Sequence, residues 1–404
     1  MEEPGVLVIG GGISGLALAW KAAKAGTPAL VLEARAEVGG AIRTHRGADG
    51  HWFELGAHTV YNSYGGFLDL AVDRGLAPHV LERAPARKHF GLLRDGRYHW
   101  LTPQKTLFKL NWLACAWRMP AFAWRSKEGV SARTHLSRLL GERTYARLLG
   151  PFLAAVPSQS ADDFPAAGPG SLFKKRPRRE DFPRSLGFDG GLGALTDALA
   201  ATPGLTVATR TTVTRLARTP GGFAVEAADG RRWEAPRVAL AVPPHVAAEL
   251  LRPDWPALAG ILAGLGHVEV ESLGVVLPRA EVWLPECAFV VPVDDLFFSA
   301  VTRDPFPDPE RRAFTFHFRP GVPRERKIAR MAELLRVDPA RLEGAVEQRV
   351  TLPSPRVGHG ELVAALDAAL AGEALALTGN YFAGLAIEDC VQRSLAEWER
   401  IAGA

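Results

Sequence analysis

Three glycines near the N-terminus have the spacing of a phosphate cradle. Gly10-x-Gly12-x-x-Gly15, with Ile13 and Ser14 inside it, follows the apolar run Val6–Ile9 and precedes an Ala/Leu-rich stretch to Ala25. Gly10 suits a tight turn, Gly12 lets main chain approach a pyrophosphate, and Gly15 permits close helix–strand packing. The helix start that follows offers unpaired N–H groups and a positive dipole end. Gly26 is placed to stop that helix, and Ala29–Leu32 reads as a second buried strand. Glu33 ends it, where a carboxylate can accept ribose hydroxyls. Strand, glycine turn, helix, strand and acid together make a dinucleotide-binding βαβ unit.

The residues downstream suit a large dinucleotide. Ala34 and Arg35 lead to Gly39-Gly40-Ala41-Ile42-Arg43-Thr44, a second glycine turn with an arginine able to grip a phosphate bidentately. Phe53-Glu-Leu55-Gly56-Ala57-His58 follows, and a turn at Gly56 lets main chain run beside a flavin ring. Simple nicotinamide dehydrogenases need neither element, so the expected cofactor is FAD. Near the other end, the apolar run Ala374–Thr378 leads into Gly379-Asn380 and then a helix opening at Ala386-Ile387. Its N-terminal N–H groups suit the negative charge that collects at the pyrimidine end of a reduced flavin. Glu388 and Asp389 fall in its first turn and are expected to point away from the ring; Glu397 is expected on the surface.

These motifs need two sheet systems to position them. The chain has 404 residues, 47% of them hydrophobic and 23% charged, which suits two globular domains. After the βαβ unit, residues 81–184 hold helical segments rich in Trp, Arg and Lys. Phe223–Glu234 predicts a hairpin turning at Asp229-Gly230, and Val238–Val242 a buried strand. Ser272–Leu277, Ala288–Val291 and Ala313–Phe318 predict a second, mostly antiparallel sheet. The expected fold is α/β: a Rossmann-like domain from 1–75, 185–255 and 350–404, a helical region over 76–184, and an antiparallel-sheet region over 256–349.

The motifs resemble the FAD domain shared by amine oxidases, phytoene desaturases and protoporphyrinogen oxidases. Phe188-Asp-Gly-Gly-Leu-Gly-Ala-Leu-Thr-Asp-Ala-Leu199, Leu149–Phe164 and Gly379-Asn-Tyr-Phe-Ala-Gly384-Leu-Ala-Ile-Glu-Asp-Cys390 resemble segments of the protoporphyrinogen/coproporphyrinogen oxidases. The resemblance covers nearly the whole chain. It implies that Val213 also lines the cofactor, that Val290, Phe298 and Phe318 sandwich a macrocycle near Ala155, and that Arg87 and Lys88 meet a propionate. It implies dehydrogenation of protoporphyrinogen IX or coproporphyrinogen III, with no protein catalytic residue and with dioxygen as electron acceptor. Two departures stand out. Ala154, Ala155, Ser158 and Gln159 occupy a region where the family tends to have glycines, and the chain is shortened between Phe164 and Ser185.

Other function classes find little support. The formal net charge of +4 comes with no nucleic-acid reader motif. Cys115, Cys287 and Cys390 are odd in number and form no CxxC pair, which fits a reducing compartment and neither a disulfide framework nor zinc. His58, His89, His317 and His359 lack ligand spacing, so no metal is expected. No signal peptide or membrane span is expected, and the expected place is the cytoplasm. Trp100–Arg125 interleaves Phe108, Trp112, Trp117 and Phe122 with Lys105, Lys109, Arg118 and Arg125. That pattern suits either a peripheral contact with the inner membrane face or a core with solvated charges. Phe173–Arg179 is a basic run, read as a solvated loop or an anion contact. Another flavin oxidoreductase acting on a hydrophobic substrate remains an alternative, as does a flavin-free binder of the same fold.

Overall fold

The computed structural model describes residues 4–102, 104–105 and 112–403. Phe108 and Lys109 lie outside them. A five-stranded parallel sheet has the order β10 (Leu205–Ala208), β2 (Ala29–Leu32), β1 (Val6–Ile9), β14 (Val238–Leu240) and β20 (Leu375–Leu377). Four of its strands are short apolar runs buried on both faces, as a parallel sheet with covered faces requires, and the edge strand β10 exposes Thr206. The helix Ile13–Lys24 crosses between β1 and β2 and packs against the C-terminal helix Ile387–Ala402.

A seven-stranded sheet carries the second layer. Its order is β19 (Val346–Pro353), β15 (His267–Pro278), β18 (Arg311–Phe318), β17 (Phe297–Thr302), β16 (Phe289–Pro292), β7 (Phe90–Arg94) and β8 (Arg97–Leu101). All pairs are antiparallel except β16–β7. Two expected boundaries move as a result. β7 and β8 fall in the region expected to be helical, yet they complete the sheet. β19 straddles residue 350 and pairs with β15, so the sheet continues into the segment assigned to the cofactor domain.

Alternation along β18 decides the faces of this sheet. Phe314, Phe316 and Phe318 join Val290, Phe297 and Ala300 in a core that also takes Met331, Leu334 and Leu335 of the helix Arg324–Leu335. Ala313 packs instead with Phe53 and Leu55. Thr315 Oγ1 donates to the Glu54 carbonyl at 2.7 Å. One face therefore rests on a helix and the other on the cofactor domain. Val290 and Phe318, expected to sandwich a macrocycle, lie on the helix-covered face and serve as core.

Three small sheets join the layers. β3 (Thr44–Arg46) pairs with β4 (Trp52–Glu54), and β9 (Ser185–Phe188) lies between β5 (Val60–Tyr61) and β6 (Val80–Glu82). β11 (Val213–Thr219), β12 (Gly222–Ala227) and β13 (Arg232–Ala235) form the third. β12 and β13 make the expected hairpin, with Gly230 at φ +83° in the turn.

Candidate active site

The glycine turn holds the conformation its residue types demand. Gly10 has φ +107°, and a Cβ on Gly15 would lie 1.9 Å from the Gly10 carbonyl oxygen. Gly12 is the N-cap of the first helix; no side chain caps it and no acid stands in the first turn. Such an end leaves backbone donors for an anion. Glu33 is buried and accepts from Gly11 N at 2.7 Å and Arg35 N at 2.8 Å. Its own carbonyl accepts from Thr211 N, two residues before Val213, so Ala34, Arg35 and Val213 share one end of the sheet.

The second glycine turn closes on the first. Gly12 bridges Gly39, and a Cβ on Gly40 would meet Gly12 Cα at 3.1 Å. Gly56 passes so near Ala41 that a Cβ would lie 2.1 Å from its carbonyl oxygen. Ile42 is buried below, and Leu55 N donates to Arg43 O at 2.8 Å. Arg43 pairs with Glu37 at 2.6 Å on a half-exposed surface. Such a pair is weak, so the guanidinium can exchange it for a phosphate. Glu54 accepts from Thr44 Oγ1 and Leu192 N, both at 2.7 Å, which ties the Phe188–Leu199 segment to this turn. Burial pushes the Glu54 carboxyl up to about 7, against the hydrogen bonds from Leu192 and Thr44.

The C-terminal motif brings a second helix start to the same place. Gly379 has φ +151° and Asn380 follows it. The helix begins after Ala386, which offers no side-chain cap. Its N-terminus lies beside that of the first helix, with the Ser14 hydroxyl against the Cys390 thiol. Burial pushes that thiol up to about 12, so it is a poor nucleophile. The two acids of the first turn are committed elsewhere. Glu388 accepts from Gly66 N at 2.9 Å and Phe67 N at 3.0 Å, at the start of the helix Gly65–Asp73. Asp389 is held by Lys174 at 3.1 Å and Arg176 at 2.7 Å.

The facing sheet supplies groups that the sequence did not single out together. Gln348, Ser272, His317 and Ser299 are direct cross-strand neighbours on β19, β15, β18 and β17, and all are buried. Opposed residues share a face. That face is the one resting on the cofactor domain: Gln348 Nε2 lies 3.4 Å from Gly40 O, and Gly274, two residues beyond Ser272, packs on Phe53 and Leu55. Ser272 Oγ and His317 Nδ1 are 2.8 Å apart. Burial pushes His317 down to about 4. It pushes His58 to about 3, with Arg83 and His317 nearby adding to the effect. Both imidazoles are neutral at neutral pH.

Several expected substrate contacts are not where the resemblance put them. Arg87 pairs with the exposed Glu82 and donates to the Arg83 carbonyl, and Lys88 is exposed. Phe298 lies under the Arg319 guanidinium, 4.5 Å from its ring centroid. Ala155 ends the short helix Gly150–Ala155, which packs on β16 and β17. Ser158 takes φ +52°, so the backbone keeps a glycine-like bend where family glycines were missed. The basic run is partly committed: Lys174 and Arg176 bind Asp389 and Arg179 binds Asp69, while Phe173, Lys175 and Arg178 are exposed. Arg83, which the sequence did not mark, is buried and donates to Thr59 Oγ1 at 2.8 Å. Its only signal was an arginine directly after an extended run.

Comparison with known proteins agrees with this geometry. The model of the NAD(P)-binding Rossmann-like domain matches residues 8–71, and that of the flavin containing amine oxidoreductases matches 129–285. A 71-residue stretch is 37% identical to the 15-cis-phytoene desaturase of Arabidopsis thaliana and 35% identical to that of Narcissus pseudonarcissus. It spans 18% of this chain but only 12% of each plant protein. A candidate protoporphyrinogen oxidase from Exiguobacterium sp. 255-15 has a similar structure, with TM-score 0.80, 20% identity and 99% of both chains covered. Cyclohexylamine oxidase from Brevibacterium oxydans IH-35A has TM-score 0.71 and 15% identity over 99% of this chain and 98% of that one. These likenesses establish a shared fold. Twin uncapped helix starts, interlocked glycine turns and a buried ribose-type acid fit FAD, in line with the dinucleotide-binding match over residues 8–71 and the flavin containing amine oxidoreductase match over 129–285.

Proposed function

We propose that the chain dehydrogenates a porphyrinogen, protoporphyrinogen IX or coproporphyrinogen III, to the porphyrin, with dioxygen taking the electrons. The observation that carries this reading is the uncharged polar roof of Gln348, Ser272, His317 and Ser299 over Gly40 and His58. Pyrrole N–H groups are neutral donors, and such a roof suits them better than an ammonium ion, which seeks a carboxylate. The Gly379–Cys390 segment, similar to that of the porphyrinogen oxidases, supports the same reading. Arg83 replaces Arg87 and Lys88 as the candidate partner of a propionate, because it is buried beside His58 and has no carboxylate partner among the described residues.

Bound FAD supplies a two-electron acceptor. In this reading Gly10–Gly15 and Gly39–Arg43 hold its pyrophosphate, Glu33 its ribose, and Val213 its adenine. Gly56–His58 and Gly379–Ile387 lie along its flavin end. The protein's share of the work is to orient the macrocycle beneath the sheet and to keep water out. Purified protein incubated aerobically with each porphyrinogen should develop porphyrin fluorescence. Oxidation of a primary amine with no porphyrin formed from either macrocycle would move the chain to the amine oxidases.

A membrane surface is the proposed second partner. On the helix Trp112–Trp124, Leu113, Trp117 and Trp124 are 86%, 87% and 90% exposed, and the helix carries Arg118 but no acid. Tryptophans and cations together suit a lipid interface. No helix among the described residues is long and apolar enough to cross a membrane.

A further inference from the structure

The polar roof contains one group able to take a proton. His317 Nδ1 faces Ser272 Oγ at 2.8 Å, and no partner is seen for its Nε2 among the described residues. Ser299 Oγ and Gln348 Oε1, on either side in the same row, are buried with no hydrogen-bond partner. Buried polar atoms without partners are costly, roughly 1–3 kcal/mol each, so a row of them marks a place for ligand atoms. The row beside it, Gly274 and Thr315, sits on Phe53, Glu54 and Leu55. The next residues of that segment, Gly56 to His58, therefore run beneath His317. The nearness of His58 and His317 fits this order.

We propose that His317, oriented by Ser272, accepts the proton released when the substrate is oxidised. This rests on the reading that an N–H-bearing substrate reduces the bound FAD. The substrate C–H bond breaks and its hydrogen leaves with the electron pair to the oxidised flavin. The neighbouring N–H bond breaks, its electrons enter the new conjugated C=N bond, and its proton goes to His317 Nε2. Ser272 fixes the tautomer by accepting from Nδ1–H, which leaves the Nε2 lone pair facing the substrate. Ser299 and the Gln348 carbonyl flank that point as further acceptors for N–H donors. Because burial keeps the imidazole neutral, the lone pair is available at neutral pH, and the proton is readily given up afterwards.

The test is anaerobic stopped-flow reduction of holoenzyme FAD by each porphyrinogen and by benzylamine, in wild type, His317→Gln, Ser272→Ala and Ser272→Thr. Positioned acid–base groups contribute about 10²–10⁴-fold, so His317→Gln should slow flavin reduction by at least about 100-fold. Its FAD content and its quenching of bound product porphyrin should stay at the wild-type level. Ser272→Ala should slow reduction by about 10-fold and Ser272→Thr should restore it, on the same argument. Wild type should show a solvent deuterium isotope effect on reduction that His317→Gln alters. Reduction of His317→Gln at the wild-type rate by the compound that reduces wild type overturns the inference. If only benzylamine reduces wild type, the porphyrinogen reading fails, and His317 is judged on the amine by the same criterion. If His317→Gln does not fold with FAD, an unchanged rate in Ser272→Ala overturns the role of the pair.

Discussion

Lys174 Nζ lies 3.1 Å from Asp389 Oδ2 and also donates to the Ala383 carbonyl at 2.6 Å. With Arg176 on the other oxygen of Asp389, the basic run becomes a clasp over the start of the C-terminal helix. Gly384 sits under it: a Cβ there would come within 2.8 Å of Asp389 Oδ2. Gly384→Val should therefore break the clasp, and Asp389→Asn should loosen it without adding bulk. Hydrogen bonds to charged groups contribute about 1.5–3 kcal/mol, so both variants should lose FAD more readily in a dialysis or thermofluor assay. If Gly384→Val lowers FAD occupancy and Asp389→Asn does not, steric exclusion at the flavin is the cause and the clasp is incidental.

Glu397 gives a stability prediction of the opposite kind from its sequence expectation. It is buried, not on the surface, and accepts from Leu377 N at 3.3 Å while pairing with Arg393 and Arg400 at 3.1 and 2.7 Å. Glu397→Ala leaves a β20 amide unpaired and takes one carboxylate from Arg393, which keeps Asp367, and from Arg400, which keeps the carbonyls of Leu370, Glu373 and Leu375. It should destabilise the protein by roughly 1–3 kcal/mol, read from urea denaturation. Glu399→Ala, which loses only an exposed pair with Lys21, should change stability by less than about 1 kcal/mol.

The pH dependence of stability separates two buried groups. Glu54 is raised from 4.5 to about 7, so between those values the folded state keeps a proton that the unfolded state has lost. Stability falls as pH rises through that window and levels off above it. His58 is lowered from 6.5 to about 3, so the unfolded state binds a proton the folded state refuses. Stability falls as pH drops below 6.5. The two slopes oppose each other between pH 4.5 and 6.5. Glu54→Gln should therefore sharpen the loss on acidification, and His58→Gln should flatten it. Melting temperatures measured from pH 4 to 8 would show both, and identical profiles for all three proteins would rule out these buried titrations.

Much of the cofactor domain was legible because backbone demands leave residue-type marks. A glycine at φ +107° or one whose Cβ would strike a carbonyl oxygen cannot be another residue, so Gly10, Gly15, Gly39 and Gly56 appear in the sequence as themselves. The substrate sheet was harder. The alternation Ala313-Phe-Thr-Phe-His-Phe318 announces two faces but does not say which faces the cofactor. The resemblance put Phe318 beside the substrate, whereas the register gives Phe318 to the helix-covered face and turns Thr315 and His317 toward the cofactor domain. Gln348, Ser272 and Ser299 are unremarkable alone; only strand pairing over long sequence separations makes them a row.

The exposed tryptophan helix can be tested independently of catalysis. Anionic vesicles should cosediment the protein at low salt, and replacing Trp117 and Trp124 with Ser should weaken that binding by about 10-fold or more, given the roughly 1.5–3 kcal/mol of burying each large side chain. Absence of binding at any salt concentration would leave that face to another partner.

Non-covalent FAD is the claim on which all else rests, and acid precipitation tests it most directly. Cys390 is the cysteine nearest the proposed flavin end, and burial holds its thiol near 12, so no covalent link is expected. The purified protein should be yellow, with about one FAD per chain recovered in the acid supernatant. A colourless protein that stays empty after incubation with FAD, or yellow material that remains in the pellet, would contradict the account.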